Sequence, residues 1–260
     1  MTVFLSTSVS CTYSVSCDLF SHVKAGFPDE EPIFSQGRYK LDDILFWFED
    51  CLLYQIRGEY NFLHLEQGDM FITRPARMEE ADDLNYIKRN GNLILAQTHT
   101  IRPSDELIGG VTSTIKFFRT PQDWQANLRN YRTPALIPEE KFKNLDLAEF
   151  LTEGKKDTLF MTVMGDSMID AGIAPKDLVL INRHLSWRSG DIVMAEGADG
   201  HILKRLRIEP ISAIEDVVLL LSENANYPPR KTSFIRGDEY AVHIYGPAVA
   251  SIKLYYPLPY

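Results

Sequence analysis

The chain has 260 residues, a formal net charge of −9 and an apolar share of 45%, which suits two small domains or one large one with a real core. The acidic balance disfavours non-specific DNA binding, which needs a cationic surface to displace counterions, and no helix-turn-helix or zinc finger is legible. The three cysteines, Cys11, Cys17 and Cys51, include no CxxC pair. That argues against a disulfide framework or zinc site and fits a reducing cytoplasm, so no metal or cofactor is expected.

In chain order, MTVFLSTSVSCTYSVSC lacks a basic segment and a long apolar stretch, so no signal peptide is expected. No run of about 18 apolar residues suggests a membrane span. Residues 1–40 are rich in Ser, Thr, Pro and acidic side chains and read as an extended arm. In LDDILFWFEDCLLYQI (41–56) the first part suits a short amphipathic helix and CLLYQI a strand. From 56 to 118, GDMFITR, NLILAQTHTI and STIKFF are short apolar runs broken by Gly, Asp and Pro, the pattern of strands and turns. A polar, Pro-punctuated connector follows over 120–144. After LDLAEFL (145–151) come LFMTVMG, DLVLINR, GDIVMAEG, HILKRLRI, VVLLLSE and AVHIYGPAVASIKLYY, again β-type runs. The predicted fold is mainly β: an arm (1–40), a first β domain (41–119), a linker (120–144) and a second β domain (145–260) forming a curved sheet or small barrel.

The second part echoes the first. QGDMFITR (67–74) lies against PKDLVLINR (175–183), ADDLNYIKRNGNLIL (81–95) against GDIVMAEGADGHILK (190–204), IGGVTSTIKFF (108–118) against YGPAVASIKLY (245–255), and RGEYNFL (57–63) on MGDSMID (164–170). Gly91 then falls on Gly200, and residues 209–242 have almost no counterpart. Four blocks in order and register favour a tandem duplication over chance similarity between β-rich stretches.

Chemistry is legible in the second copy only. Ser167 sits in the turn Gly165-Asp166-Ser167-Met168, and Lys204 lies in the strand-like HILKRL. A lone strand lysine is most simply an edge residue facing water. Here Arg205 is adjacent, and alternate strand residues face opposite sides, so one of the two cations points inward if that face is covered. A buried lysine loses its charged form through desolvation, and lowering its pKa from ~10.4 to ~7 takes roughly 4–5 kcal/mol. Its neutral amine could take the Ser167 proton, while backbone N–H groups around Gly165, Asp166 and Met168 hold an oxyanion. In the first copy the aligned positions hold Tyr60 and Leu95, neither of which can do this work.

GDSMIDAGI (165–173), DLVLI (177–181), GDIV (190–193), ILKRL (202–206) and ENANYPP (223–229) together resemble the LexA/UmuD family of self-cleaving serine–lysine proteins, its UmuD branch most closely. The last block is similar to that family's Asn-x-x-Tyr-x-Pro strand and turn. The resemblance implies two tandem LexA/UmuD C-terminal-like β domains, the first degenerate. Ser167 would be the nucleophile and Lys204 the base of a serine endopeptidase. CDLFSHVKAGFPDEEP (17–32) resembles the UmuD cleavage region, with Ala25–Gly26 as the scissile bond; a small residue and a glycine let backbone approach a serine closely. A RecA–single-stranded-DNA filament is the implied stimulus and a UmuC-like Y-family translesion polymerase the implied partner, in the cytoplasm, with no direct DNA or membrane binding. The single chain would be a pseudo-dimer that needs no second copy. Two alternatives stay open: a non-catalytic UmuD-like binding or regulatory module, and a repressor relative lacking its DNA-binding domain. A GDSL-type esterase also carries Gly-Asp-Ser, but the Asp-x-x-His spacing it needs is missing around His243.

Overall fold

The computed structural model describes residues 6–8, 16–18, 23–24, 38–46, 48, 50–75, 83–119, 137, 145–152, 158–197, 200–210, 215–228, 230–235 and 243–256. The fold is mainly β, as the sequence pattern predicts. Within the arm, β1 (Ser6–Ser8), β2 (Ser16–Asp18), β3 (Val23–Lys24) and β4 (Arg38–Lys40) are two- or three-residue strands. The first half follows with α1 (Leu41–Leu45), β5 (Leu52–Gln55), β6 (Met70–Pro75), β7 (Leu84–Arg89), β8 (Asn92–Gln97) and β9 (Glu106–Phe117). The second half has α2 (Leu147–Thr152), β10 (Thr158–Met164), β11 (Leu178–Asn182), β12 (Ile192–Gly197), β13 (Gly200–Pro210), β14 (Glu215–Leu221), β15 (Arg230–Ile235) and β16 (His243–Leu254).

Both short helices follow from local sequence. In α1 the apolar residues Leu41, Ile44 and Leu45 recur at helical spacing and are buried. In α2 the Asp146 carboxylate accepts the Glu149 N–H at 2.9 Å, capping the first turn, and Leu147, Ala148 and Leu151 are buried. The strand β11, LVLIN, is buried along its whole length, the mark of a strand covered on both faces.

The two halves use the same strand pairings. In the first, β5 pairs β6, β6 pairs β9, β9 pairs β7 and β7 pairs β8, all antiparallel. In the second, β10 pairs β11, β11 pairs β16, β16 pairs β12 and β12 pairs β13, also antiparallel. The irregularities recur too, with bulges at Ile72/Thr73 and at Leu180/Ile181. A Cβ at Gly109 would come within 2.6 Å of the Arg74 carbonyl oxygen, and one at Gly246 within 2.5 Å of that of Asn182. At both bends only glycine lets the strands approach so closely. β14 and β15 extend the second half alone, continuing the sheet from β13.

Cores repeat in the same way. Tyr54, Ile56, Tyr60, Leu65, Phe71, Leu84, Tyr86, Leu95 and Val111 form the first half's cluster. Met161, Val163, Met168, Ile173, Val179, Ile192, Met194, Leu203 and Ala248 stand at the matching points of the second. The first is aromatic, with Tyr54 stacked on Phe71 at 4.9 Å; the second is filled with methionine and branched aliphatics. A third cluster, with Leu41, Leu53, Ile72, Ile115, Leu147, Phe160, Leu180 and Ile252 among its members, draws on both halves. There β9 pairs β16 antiparallel, joining the halves into one sheet.

Candidate active site

β10 ends at Met164, and the chain turns sharply through Gly165, whose φ of +83° suits glycine. The Ile169 N–H donates to the Asp166 carbonyl at 3.1 Å, and a single 3-10 turn follows over Ile169–Ala171. Met168 is fully buried in the second half's core and pins this turn down. Ser167 is thereby carried inward and is 0% exposed.

Lys204 lies in β13, opposite Val193 of β12. Of the two adjacent cations it is the inward one, 5% exposed, and its Nζ donates to Ser167 Oγ. Arg205 takes the other face, where its Nε donates to the Glu223 carboxylate and its guanidinium reaches the Gly190 carbonyl at 2.8 Å. The alternation of a strand thus separates a buried amine from a paired surface guanidinium. The arrangement offers a hydroxyl with an amine on it in a site shut off from water, the constellation of serine–lysine chemistry.

The loop 222–228 covers the serine turn. Asn224 Nδ2 donates to the Asp166 carbonyl at 3.1 Å and to its carboxylate at 3.3 Å, and the Tyr227 hydroxyl donates to the Asp166 carboxylate. The Asp170 N–H donates to the Glu223 carbonyl at 2.9 Å. The Tyr227 ring lies 6.0 Å from Lys204 Nζ. The block ENANYPP is distinctive in sequence, but its place over Asp166 rests on contacts between residues far apart in the chain.

The arm reaches this site as well. β3 runs parallel to β10, Val23 opposite Val163 and Lys24 opposite Met164, and Lys24 also pairs Ile202 of β13. Its C-terminal direction is therefore that in which β10 leads to Ser167 and β13 to Lys204. Ala25 and Gly26 lie outside the described residues, as does most of the linker 120–144; Ile137, which the structure does describe, has its N–H bound to Gln55 Oε1 at 3.0 Å.

The first half differs from expectation in register. Tyr86 pairs both Leu95 and Gly109, as Met194 pairs both Leu203 and Gly246. Leu95 therefore matches Leu203, and the place of Lys204 is taken by Ala96, opposite Asn85. Tyr60 matches Met168: each precedes a 3-10 turn, the Tyr60 carbonyl accepts the Leu65 N–H and the Met168 carbonyl the Ile173 N–H, each at 3.2 Å, and each side chain packs in its own half's core. Where Gly165, Asp166 and Ser167 stand, the first half has only Gly58 and Glu59, one residue fewer. Gly91 is a turn residue, while Gly200 is the first residue of β13 and pairs Gly197. The ungapped alignment missed both shifts because it cannot register a one-residue difference in a turn.

Two buried carboxyls were also not singled out from sequence, although both stand in the aligned blocks before β6 and β11. Asp69 accepts the N–H of Glu66 at 2.8 Å and of Phe117 at 2.9 Å, and burial pushes its carboxyl up to about 7. Asp177 accepts the Ala174 N–H at 2.8 Å, and burial pushes it up to about 6. Among the described residues no cluster of His, Cys, Asp and Glu could hold a metal ion, and no helix is long and apolar enough to cross a membrane.

Fold and site together define a mainly β protein with a buried serine–lysine pair at a strand-to-turn junction. Residues 130–249 match the family model described as Peptidase S24-like. The chain is 33% identical over 103 residues to a LexA repressor of Alcanivorax borkumensis, covering 38% of this chain and 48% of that protein. It is 39% identical over 77 residues to a LexA repressor of Clostridium kluyveri, covering 30% and 36%. Protein ImpA of Salmonella typhimurium is 35% identical over 75 residues, covering 29% of this chain and 52% of ImpA. The matched stretches thus span about half or less of the length of these curated relatives.

Proposed function

We propose that the chain is a self-cleaving, UmuD-like SOS response protein: Ser167 and Lys204 cut its own arm between Ala25 and Gly26, and loss of the arm activates an accessory role in error-prone translesion DNA synthesis. The observation that carries this reading is the buried bond from Lys204 Nζ to Ser167 Oγ. The strand Val23–Lys24, laid between β10 and β13, supplies the substrate end of the same geometry.

The chemistry runs through these groups. Lys204, as the neutral amine, takes the Ser167 hydroxyl proton while Oγ forms a bond to the carbonyl carbon of Ala25. The carbonyl electron pair moves to oxygen, facing backbone N–H groups of the turn around Gly165, Asp166 and Met168. Collapse breaks the C–N bond, and the Lys204 ammonium returns the proton to the Gly26 nitrogen. Water, deprotonated by the same amine, then attacks the acyl carbon; the Oγ–C bond breaks and the Lys204 ammonium returns the proton to Ser167 Oγ.

In this reading the chain is a pseudo-dimer in itself. Residues 41–119 act as a catalytically silent protomer, 120–144 as the linker and 145–260 as the peptidase. The repeated strand pairings and the matched cores support it. A RecA–single-stranded-DNA filament favours the docked arm, and a Y-family polymerase binds once the arm is gone; both partners are carried over from the resemblance to the LexA/UmuD family.

The test is incubation of the purified chain at about pH 10, where lysine is substantially deprotonated, followed by N-terminal sequencing. A new N-terminus at Gly26, absent from Ser167→Ala and Lys204→Ala, is the expected result. A chain that stays whole at that pH, and also with RecA filaments, overturns the reading in favour of a non-catalytic binding module.

A further inference from the structure

Among the described residues the first half has no counterpart of β14, β15 and the loop between them, so this hairpin is an addition to the half that carries the serine–lysine pair. Its loop does one conspicuous thing: it closes on Asp166, the residue before Ser167. Tyr227 and Asn224 grip the two carboxylate oxygens of Asp166, and Asn224 also grips its carbonyl. The loop is itself braced. The Tyr227 N–H donates to the Asn224 carbonyl at 3.1 Å, and the Asn226 N–H to the Asn224 side chain at 3.0 Å. Glu223 ties it to Arg205 and to the Asp170 N–H.

We propose that Tyr227 is a positioning residue for the cleavage reaction, its hydroxyl clamping the Asp166 carboxylate so that the turn holds Ser167 Oγ against Lys204. This deepens the proposed function and rests on it. A hydroxyl bonded to a carboxylate is among the stronger neutral-to-charged hydrogen bonds. It acts here on the peptide unit that sets the direction of the Ser167 side chain, next to a glycine at φ +83° that by itself restrains little. Small displacements of a nucleophile are expensive, because the hydroxyl must face both its base and the carbonyl carbon. The bond to Asp166, then burial, then the Asp166 charge push the Tyr227 hydroxyl above its ordinary range.

The experiment pairs two readouts. Tyr227→Phe keeps the ring beside Lys204 and removes only the hydroxyl; its self-cleavage is expected to be slower by about tenfold, with the midpoint of the pH–rate curve unmoved. Asp166→Asn is expected to slow cleavage similarly, and the double variant no further than either single one, since both remove one interaction. In a Ser167→Ala background, which does not cut itself, Tyr227→Phe is expected to speed amide hydrogen exchange across 164–170. An unchanged cleavage rate, fully additive effects, or unchanged exchange overturns the proposal. If the wild-type chain is never cut yet exchange at 164–170 responds to Tyr227→Phe, the clamp stands and the proteolytic reading falls.

Discussion

Ile115 of β9 sits directly opposite Ile252 of β16, and each is the tenth residue of its own twelve-residue strand. Around them Lys116 faces Ser251 and Thr114 faces Lys253, so the contact is read the same way from either half. That is the form of a two-fold interface between like subunits. Here it lies within one chain, and both isoleucines are 0% exposed in the cluster that draws on both halves. Truncating either should open a cavity in the seam. We expect Ile115→Ala and Ile252→Ala each to lower the unfolding free energy by about 2–4 kcal/mol, with a non-additive double variant. Urea unfolding in the Ser167→Ala background checks this. Additive losses, or two separate transitions of which only one responds, would show that the halves are independent bodies.

On the proposed function, a chain that supplies both its arm and the Ser167–Lys204 pair should cut itself without help from a second copy. A tethered arm enjoys an effective concentration of about millimolar, far above the protein's own. The first-order rate constant at alkaline pH is therefore expected to stay the same over about a hundredfold dilution. A Ser167→Ala chain mixed with active chain should keep its arm. A rate that rises in proportion to concentration, or loss of the arm from the inactive chain, would move cleavage to the space between molecules.

The sequence carried the strands and pointed to two side chains that the fold brings together, Ser167 and Lys204, but not the register between halves. GDMFITR and DLVLINR are apolar runs flanked by Asp and Arg, and β6 and β11 form over them. Lys204 beside Arg205 implied one inward cation if that face is covered, and burial shows that it is Lys204. The equivalence of Leu95 with Lys204 failed because turn glycines align cheaply, whereas only the ladder of β7 with β8 fixes which residues share a face. β3 has two residues, too few to show a period. The Tyr227–Asp166 contact joins residues 61 apart, beyond any local pattern.

The buried carboxyls give the fold a pH dependence of definite sign. Burial raises Asp69 to about 7 and Asp177 to about 6, against the bonds from Glu66 and Phe117 and the charge of Lys116 at the former. Both lie above the unfolded value of about 3.9. The folded state therefore prefers the neutral carboxyl. Its stabilisation is complete below about pH 4 and is lost as pH rises through about 6 and then about 7. In the Ser167→Ala background the unfolding free energy should fall across this window, by on the order of 2–4 kcal/mol for Asp69. Asp69→Asn should be less stable throughout, because an amide keeps one acceptor for two N–H donors, but its profile should be flatter. A wild-type profile that is level or rising between pH 4 and 7, or an equal slope in Asp69→Asn, would contradict the assignment.

The arm offers the most selective handle on the proposed reaction. Lys24 is paired on both sides, to Met164 of β10 and to Ile202 of β13, each strand running on towards one member of the serine–lysine pair. Proline at this position removes the N–H from that ladder and puts a ring into a strand flanked on both sides, a place proline does not occupy in sheets. It leaves Val23 in the extended conformation that residues before proline prefer, so the arm keeps its direction and loses its docking. Lys24→Pro should therefore cut about tenfold more slowly or worse, the cost of misplacing a substrate bond. A two-residue strand buries little of the core, so the melting temperature in the Ser167→Ala background should move by no more than about 2 °C. Lys24→Ala, which retains the N–H, should cut at close to the wild-type rate. If Lys24→Pro cuts as fast as Lys24→Ala, pairing of β3 in the cleft is not the state from which cleavage proceeds.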